Sequence, residues 1–213
     1  CLQIWELFGL LLVLFESLIV VMIYRSNYYN KIMSDYSNIH TSENESKIKH
    51  LYNKTFPDIS LPNQEENLLR LYRFDTFRMI LYFFPMTGRP DRPLPKNWNK
   101  TPGAQGCTIQ NCSFRDSYDQ IIINNALPIG ISTQSIEDLK EMTQRLNIPY
   151  DVLSDQQLKF CSALTLPNFS IEDKKFIKRL TLIIEKSVIK HVFYPIFSPE
   201  NHIKEVLNWL EQN

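Results

Sequence analysis

Met79-Ile-Leu-Tyr-Phe-Phe84 is a run of six apolar residues, three of them aromatic, that lies between Arg78 and Pro85. A continuous apolar run of this length predicts a strand that is buried on both faces. Such a strand lies inside a sheet that helices cover on both sides. The run therefore predicts the centre of an α/β fold.

The chain that follows this run alternates between helix and strand patterns. We predict strands at Ala126–Ser132, Tyr150–Leu153, Arg179–Ile184 and Val188–Tyr194, and helices at Cys107–Asn124, Ser135–Asn147, Gln157–Leu164 and Glu200–Gln212. This alternation is typical of a central sheet flanked by helices, and the late hairpin makes the sheet mixed. The apolar positions of the first helix are expected at Ile109, Phe114, Tyr118 and Ile121 or Ile122.

Charge and cysteine usage exclude several classes of function. The 213 residues carry 23 basic and 23 acidic side chains, so no excess positive charge attracts nucleic acid. Four cysteines, of which only Cys107 and Cys112 are close together, do not form the disulfide framework of a small secreted domain. They indicate a reducing compartment, the cytoplasm. Scattered histidines and the lack of a Gly-rich phosphate loop favour neither a bound metal nor a nucleotide.

The first 32 residues form a hydrophobic extension. Leu2 to Tyr24 is almost wholly apolar, interrupted by Glu6 and Glu16, and is long enough to cross a bilayer. Each carboxylate would cost up to about 3 kcal/mol near the hydrocarbon centre. Three interpretations stay open for residues 1–32: a membrane anchor, a non-native segment upstream of a start at Met33, or a buried core helix.

Residues 33–54 are rich in Ser, Asn, Glu and Lys and carry few large apolar groups. A segment of this composition cannot bury enough surface to order itself, so we predict a polar linker. The folded domain is expected at residues 55–213. It begins with Phe56-Pro-Asp-Ile-Ser-Leu-Pro62, an extended segment bounded by prolines.

A long loop, Thr87 to Gly106, joins the first strand to the first helix and contains four prolines and three glycines. Loops of this length inside a compact domain are usually functional. The loop ends at Cys107, which opens the helix. A cysteine in the first turn faces the positive end of the helix dipole and unpaired N–H groups, and both favour the thiolate over the thiol.

Cys112 follows Cys107 by five residues. A thiolate that attacks a peroxide becomes a sulfenic acid, and a second thiol in reach can convert that acid into a disulfide. Five positions along a helix place two Cα atoms roughly 8–9 Å apart, whereas a disulfide needs less than about 7 Å. If the two cysteines pair, the first turns must unwind. The residues alone leave open that both are small buried hydrophobes, the common fate of a free cysteine.

The string Thr101-Pro-Gly-Ala-Gln-Gly-Cys107-Thr-Ile-Gln-Asn-Cys112-Ser-Phe-Arg-Asp116 resembles the peroxiredoxins of the bacterioferritin comigratory protein type. In those proteins a TPGCT string is followed by a second cysteine five positions on and then by Phe-Arg-Asp. Phe84-Pro-Met-Thr-Gly-Arg-Pro90, Arg179-Leu-Thr-Leu-Ile-Ile184 and His191-Val-Phe-Tyr-Pro195 extend the resemblance over about residues 55–210. The chain looks like a branch with an enlarged loop before the reactive cysteine.

The resemblance implies a thioredoxin-like fold and a thiol-dependent peroxidase that reduces hydrogen peroxide or organic hydroperoxides without a cofactor. It implies that Cys107 is the peroxidatic cysteine and that Cys112 resolves its sulfenic acid as a Cys107–Cys112 disulfide. Arg179 matches the family arginine that helps to hold the peroxide and the thiolate. The implied reductant is thioredoxin or a glutaredoxin-like protein, and the expected assembly is a monomer or homodimer.

One position departs from the family pattern. Ala104 stands where the family has a threonine whose hydroxyl orients the peroxide, three residues before the reactive cysteine. Thr101, Thr108 or backbone N–H groups are the candidates to supply that hydrogen bond. Further candidate substrate-binding residues are Trp98, Pro102 and Gly106, although a proline in a loop often only sets a turn.

Other residues near the cysteines are expected to be structural. We predict that Arg115 forms an ion pair with Asp116 or Asp119 and that Cys161 is packed in the core. Because the family threonine is missing, a non-catalytic thioredoxin-fold redox sensor or interaction module is the alternative function. A membrane is an expected partner only if residues 2–24 are a genuine anchor.

Overall fold

The computed structural model describes Asn44, residues 46–72 and residues 77–213, and Ser46–Asn213 form one compact unit. The hydrophobic extension, and with it the three interpretations of residues 1–32, lies outside the described part. Among the helices of the described residues, none combines the length and the apolar character needed to cross a membrane.

The strands of the described residues form one central sheet and two separate hairpins. They are β1 (Ser60–Pro62), β2 (Leu68–Arg70), β3 (Arg78–Phe83), β4 (Ala126–Ser132), β5 (Val152–Ser154), β6 (Asn168–Ile171), β7 (Lys174–Ile177), β8 (Leu180–Glu185) and β9 (Val188–Phe193). The central sheet has the order β5-β4-β3-β8-β9, while β1 pairs with β2 and β6 with β7. Because β3 is parallel to β4 and antiparallel to β8, the predicted mixed sheet is confirmed.

Helices cover both faces of this sheet. They are α1 (Cys107–Asp116), α2 (Tyr118–Ile123), α3 (Ile136–Leu146), α4 (Lys159–Ala163) and α5 (His202–Gln212). Apolar residues of α1, α2, α3 and α5 pack in one core, and those of α4 pack in the other. The described residues also contain two short 3₁₀ helices, Lys49–Leu51 and Trp98–Lys100.

The central strand behaves as its sequence predicts. Residues Met79–Phe84 are each at most 1% exposed, and alternate residues point into the two cores on opposite faces of the sheet. Side chains of a strand alternate between faces, so a run without polar residues is stable only when both faces are covered. This strand is the centre of the domain.

The predicted first helix is divided in two. The chain turns at Ser117, where φ is −102° and ψ is 10°, so Cys107–Asn124 is not one helix. The prediction that Ile109 is a core position is also wrong, because its side chain is 55% exposed. Ile109 and Phe114 lie about 140° apart around a helix, and fully buried Phe114 takes the core face.

Two features of the chain were not predicted. The β6–β7 hairpin turns through Glu172 and Asp173, and Glu172 has a positive φ of 52° without the Gly or Asn that usually marks such a turn. The last part of the predicted linker 33–54 also packs on the domain, because Ile48 is 3% exposed and Leu51 is fully buried. The segment is also hydrogen-bonded to the sheet, since the Asn53 N–H donates to the Ile189 carbonyl oxygen at 2.9 Å. For residues 46–54 the linker prediction is wrong.

Gly130 of β4 lies opposite Tyr82 of β3, and a Cβ atom there would be 2.8 Å from Tyr82 Oη. We expect Gly130→Ala to lower the free energy of unfolding by about 1–3 kcal/mol, because the fully buried ring would have to shift. Gly88→Ala is the matched control, since its Cβ would meet only the flexible end of Leu94, at 3.1 Å. Urea denaturation measures both, and equal losses would contradict the prediction.

Candidate active site

The reactive thiol candidate, Cys107, is the first residue of α1 and is 3% exposed. The preceding Gly106 has a φ of 95°, and a Cβ atom there would lie 2.8 Å from Pro199 Cγ. Only glycine combines this left-handed backbone with so close a neighbour. Gly106 therefore lets the chain enter the helix abruptly and sets the sulfur at the helix N-terminus, as the sequence predicts.

Arg179, next to a strand of the central sheet, contacts this sulfur. The residue directly precedes β8, and its Nη2 lies 3.3 Å from Cys107 Sγ and donates to the Gln105 carbonyl oxygen at 2.7 Å. Its Nη1 donates to Oε1 of Gln110. Cys107 and Arg179, two candidate residues that lie 72 positions apart in the sequence, are thus in contact.

The electrostatics of this contact favour an anion at the sulfur. Arg179 is 4% exposed, and among the residues that the structure describes no carboxylate forms an ion pair with it. A buried cation without a counter-ion costs several kcal/mol. The dipole of α1 adds a positive potential at the same point. A thiolate at Cys107 would compensate both the charge of Arg179 and the positive potential of the helix dipole.

A cleft of about 300 Å³ opens at Cys107. Its apolar lining includes Met86, Leu94, Trp98 and Ile109. Trp98 is 4% exposed and stands edge to face on Phe176 with the ring centroids 5.2 Å apart. The loop before the cysteine is thereby fixed on the β6–β7 hairpin.

The candidate residues of the loop are placed differently from one another. Gly106, Thr108 and Trp98 line the cleft with Cys107. Thr101 does not belong to the lining, and its hydroxyl donates to the Asn97 carbonyl oxygen at 3.0 Å.

Pro102 is exposed and is not brought to the sulfur. It begins a turn in which the Ala104 N–H donates to the Thr101 carbonyl oxygen at 3.2 Å and Gly103 has a φ of 79°. Pro102 therefore sets a turn, which is the common role of a loop proline.

Cys112 lies in the same helix as Cys107, is half-buried, and is a free thiol. The first turn of α1 is held by Asn111, whose Nδ2 donates to the Cys107 carbonyl oxygen at 2.9 Å. Tyr82 in turn donates to Asn111 Oδ1 at 2.8 Å. Burial raises the pKa of Tyr82 well above its usual value, so its hydroxyl stays a donor at neutral pH. The sheet thus holds the turn that carries Cys107.

The two structural predictions near the site are confirmed. Arg115 Nε donates to Asp116 Oδ1 at 2.8 Å, and Nη1 donates to the Leu146 carbonyl oxygen at 2.6 Å. Cys161 is 4% exposed in the core, and burial raises the pKa of its thiol. A protonated, enclosed thiol is a poor nucleophile, so Cys161 does not compete with Cys107.

Three buried polar residues of the site were not predicted: Asn111, described above, Gln110 and His202. Gln110 is fully buried against Arg179, and His202 lies 2.8 Å from Thr181 Oγ1 and 3.2 Å from Glu205 Oε2. Burial lowers the pKa of His202 to about 4, so its ring is neutral at pH 7. Gln110 could have been found from its spacing, since residues three apart share a helix face. His202 is one of four scattered histidines and carries no such signal.

Comparison with known proteins identifies this arrangement. The AhpC/TSA family matches residues 97–192, which include Cys107, Cys112 and Arg179. The chloroplastic peroxiredoxin Q of Sedum lineare is 30% identical over 158 residues, which are 74% of this chain and 76% of the relative. The chain belongs to the peroxiredoxin family. This peroxiredoxin is also 29% identical to peroxiredoxin Bcp of Escherichia coli K12, over 74% of the chain and 93% of the relative.

Solved structures agree on the fold. The peroxidoxin BcpB of Mycobacterium tuberculosis superimposes with a TM-score of 0.61 at 24% identity, over 76% of this peroxiredoxin and 96% of that chain. The bacterioferritin comigratory protein of Xanthomonas campestris gives 0.57 at 18% identity, over 74% and 92%. The thioredoxin-like fold is therefore confirmed. As a member of the family, the chain is a thiol-dependent peroxidase.

Thr101→Val and Thr108→Val separate the two candidate hydroxyls of this peroxiredoxin. Because Thr108 lines the cleft, we expect Thr108→Val to slow peroxide oxidation of the protein about three- to tenfold, the worth of one hydrogen bond. Thr101→Val leaves the rate unchanged, because its hydroxyl is bound to Asn97. Stopped-flow kinetics with hydrogen peroxide measure the oxidation rate of both variants. A slowed Thr101→Val together with an unaffected Thr108→Val would assign the hydroxyl to Thr101 instead.

Proposed function

We propose that this peroxiredoxin reduces hydrogen peroxide and organic hydroperoxides with the thiolate of Cys107 as nucleophile. The proposal rests on the 3.3 Å contact between Arg179 Nη2 and Cys107 Sγ at the N-terminus of α1. A reactive cysteine needs a thiolate, an electropositive surrounding and access for the oxidant. Arg179 and the helix supply the charge, and the cleft supplies the access.

The first step is a displacement at oxygen. The Cys107 thiolate attacks the nearer peroxide oxygen, so an S–O bond forms and the O–O bond breaks. The leaving oxygen departs as an alkoxide or hydroxide and takes up a proton to become an alcohol or water. The two electrons come from sulfur, which becomes a sulfenic acid. Arg179 stabilises the negative charge as it moves from sulfur to the leaving oxygen.

The donors for the peroxide are proposed from the lining of the cleft and from the groups that contact the Cys107 sulfur. Ala104 carries no hydroxyl, so Thr108, Arg179 and the free N–H groups of the first turn of α1 take its place. The apolar lining suits the alkyl part of an organic hydroperoxide. A Xanthomonas campestris relative of the same fold is described as an alkyl peroxide reductase, which supports this substrate class.

The second step is resolution by Cys112. Its thiol attacks the Cys107 sulfenic acid, so an S–S bond forms and water leaves. Both cysteines lie in α1, where a regular helix holds their Cα atoms about 8–9 Å apart. The first turns must therefore unwind before the sulfurs meet. A thioredoxin or glutaredoxin-like dithiol then reduces the disulfide, and we propose that the protein acts as a monomer or homodimer.

The alternative function, a non-catalytic sensor or interaction module, is not favoured. Its basis in the sequence was the missing threonine at Ala104. The structure retains the charged contact at the sulfur, and Thr108 lines the cleft beside it. Family membership and this geometry both support turnover.

Cys107→Ser tests the nucleophile. We expect no peroxide consumption above the uncatalysed rate with a thioredoxin system, because a serine hydroxyl is not ionised at neutral pH. Cys112→Ser should keep one rapid turnover, which mass spectrometry detects as a sulfenic acid, and lose steady-state activity. Consumption that survives Cys107→Ser would exclude this cysteine as the nucleophile.

Oxidation of the wild-type protein tests the unwinding. We expect one equivalent of peroxide to form a Cys107–Cys112 disulfide and to remove hydrogen-exchange protection from residues 107–113, because the disulfide and the regular helix are incompatible. Cys112→Ser treated in the same way is the control and should keep its protection. An intact helix that carries this disulfide would contradict the mechanism.

A further inference from the structure

Met86 lies where three cavities adjoin one another. Its side chain is half-buried and lines the cleft at Cys107, and it also lines two further cavities of about 120 Å³ and about 520 Å³. Among the residues that the structure describes, it is the one that belongs to the lining of all three. A peroxide bound in the cleft therefore has two sulfur-bearing side chains in the wall around it, those of Cys107 and Met86.

The backbone on both sides of Met86 is fixed by buried hydrogen bonds. Ser132 Oγ donates to the Pro85 carbonyl oxygen at 3.0 Å. The Thr87 N–H donates to Gln134 Oε1 at 2.8 Å, and Gln134 Nε2 donates to the Thr87 carbonyl oxygen at 3.2 Å. Breaking a buried hydrogen bond leaves a polar group unpaired, which costs free energy. These bonds therefore keep Met86 at the cleft.

Met86 also packs against the residues that position the reactive sulfur. The Cys107 Sγ lies 3.5 Å from the carbonyl oxygen of Ala104, a fully buried residue of the loop before the cysteine. The Met86 side chain contacts the small apolar cluster to which Ala104 belongs, formed by Trp98, Ala104, Ile171 and Phe176. A chemical change at the thioether would thus be felt in the packing beside Cys107.

We propose that Met86 is a site of oxidation by the substrate peroxide, and that its sulfoxide slows the enzyme when peroxide is in excess. The inference rests on the proposed function, because it needs a peroxide in the cleft. The thioether sulfur attacks one peroxide oxygen, so an S–O bond forms and the O–O bond breaks. Sulfur supplies the two electrons. The proton of the attacked oxygen passes to the leaving oxygen, which departs as water or an alcohol.

The consequence for the site follows from polarity. A thioether is apolar, whereas a sulfoxide is strongly polar and costs free energy among apolar side chains unless it finds a hydrogen-bond donor. Either the cluster opens or the sulfoxide turns into the cleft, and both changes alter the space that the peroxide occupies. The thiolate of Cys107 is the stronger nucleophile, so Met86 is oxidised when peroxide arrives faster than the cysteine is regenerated.

Two other methionines of the described residues provide an internal comparison. Met79 of β3 is 1% exposed and Met142 of α3 is fully buried, and each lies in one of the two cores of the domain. Neither belongs to the lining of the cleft. Because the three side chains carry the same thioether, a difference in their oxidation reports their access to peroxide.

Peroxide treatment of the full chain tests where oxidation occurs. The protein is incubated with a large molar excess of hydrogen peroxide, and peptide mass spectrometry follows the sulfoxide at each methionine. We expect Met86 to be oxidised at least about tenfold faster than Met79 and Met142, because it borders the cleft while they are enclosed. Equal rates at the three positions would overturn the inference.

Met86→Leu tests the effect on activity, since leucine is apolar, similar in volume and has no thioether. Each protein is treated with peroxide and then reduced with dithiothreitol, which regenerates thiols from disulfides and sulfenic acids but leaves the sulfoxide. Its stopped-flow oxidation rate, per free Cys107 thiol counted by alkylation, is compared with its own rate before treatment. We expect the wild type to lose about fivefold or more and Met86→Leu to lose little. Met142→Leu is the matched control and should lose as much as the wild type.

Met86→Gln places a polar side chain of similar length in the wall of the cleft. We expect it to react slowly before treatment and to lose little afterwards. A wild-type rate in Met86→Gln would overturn the inference, and so would a Met86→Leu protein that loses the same fraction as the wild type. These results differ from a failure of the proposed function, which would appear as peroxide consumption in Cys107→Ser whatever the side chain at position 86.

Discussion

A buried guanidinium held against a sulfur is the interaction on which the site depends. Arg179 directly precedes β8, beside the central strand, while Cys107 begins a helix that packs on the same sheet. Neither Cys107 nor Arg179 would have these surroundings without the other. The fold brings Arg179, which pairs with no carboxylate of the described residues, to a helix N-terminus that already favours negative charge. The proposed nucleophile is therefore the sulfur that lies at the meeting point of this cation and this helix N-terminus.

The same helix imposes conflicting demands on the two steps of the reaction. Peroxide reduction needs the first turn of α1 formed, because the helix N-terminus and the Arg179 contact exist only then. The proposed resolution by Cys112 needs that turn open, because a regular helix holds the two cysteines too far apart for a disulfide. The hydrogen bonds from Tyr82 to Asn111 and from Asn111 to the Cys107 carbonyl oxygen link this turn to the sheet. In the proposed mechanism, these hydrogen bonds must break or shift before the second thiol can reach the sulfenic acid.

The sequence predicts those parts of the molecule that depend on local pattern. The central strand follows from the apolar run Met79–Phe84, and the start of α1 at Cys107 follows from the end of a Gly- and Pro-rich loop. The packing of Ile48 depends on distant partners that a local pattern does not contain, and neither Gly nor Pro marks the break at Ser117. For the same reason the contact of Arg179 with Gln110 was not predictable, although the spacing of Gln110 from Cys107 was visible.

The alanine that replaces the family threonine lies where the enlarged loop packs on the β6–β7 hairpin. Ala104 is fully buried in a small apolar cluster with Trp98, Ile171 and Phe176, and this cluster anchors the loop on the β6–β7 hairpin. Ala104 also lines the cleft at Cys107, so its position belongs both to this apolar cluster and to the site. Its methyl group suits the cluster but offers no hydroxyl to a bound peroxide. In the mechanism proposed above, groups on α1 and Arg179 therefore orient the peroxide in place of that hydroxyl.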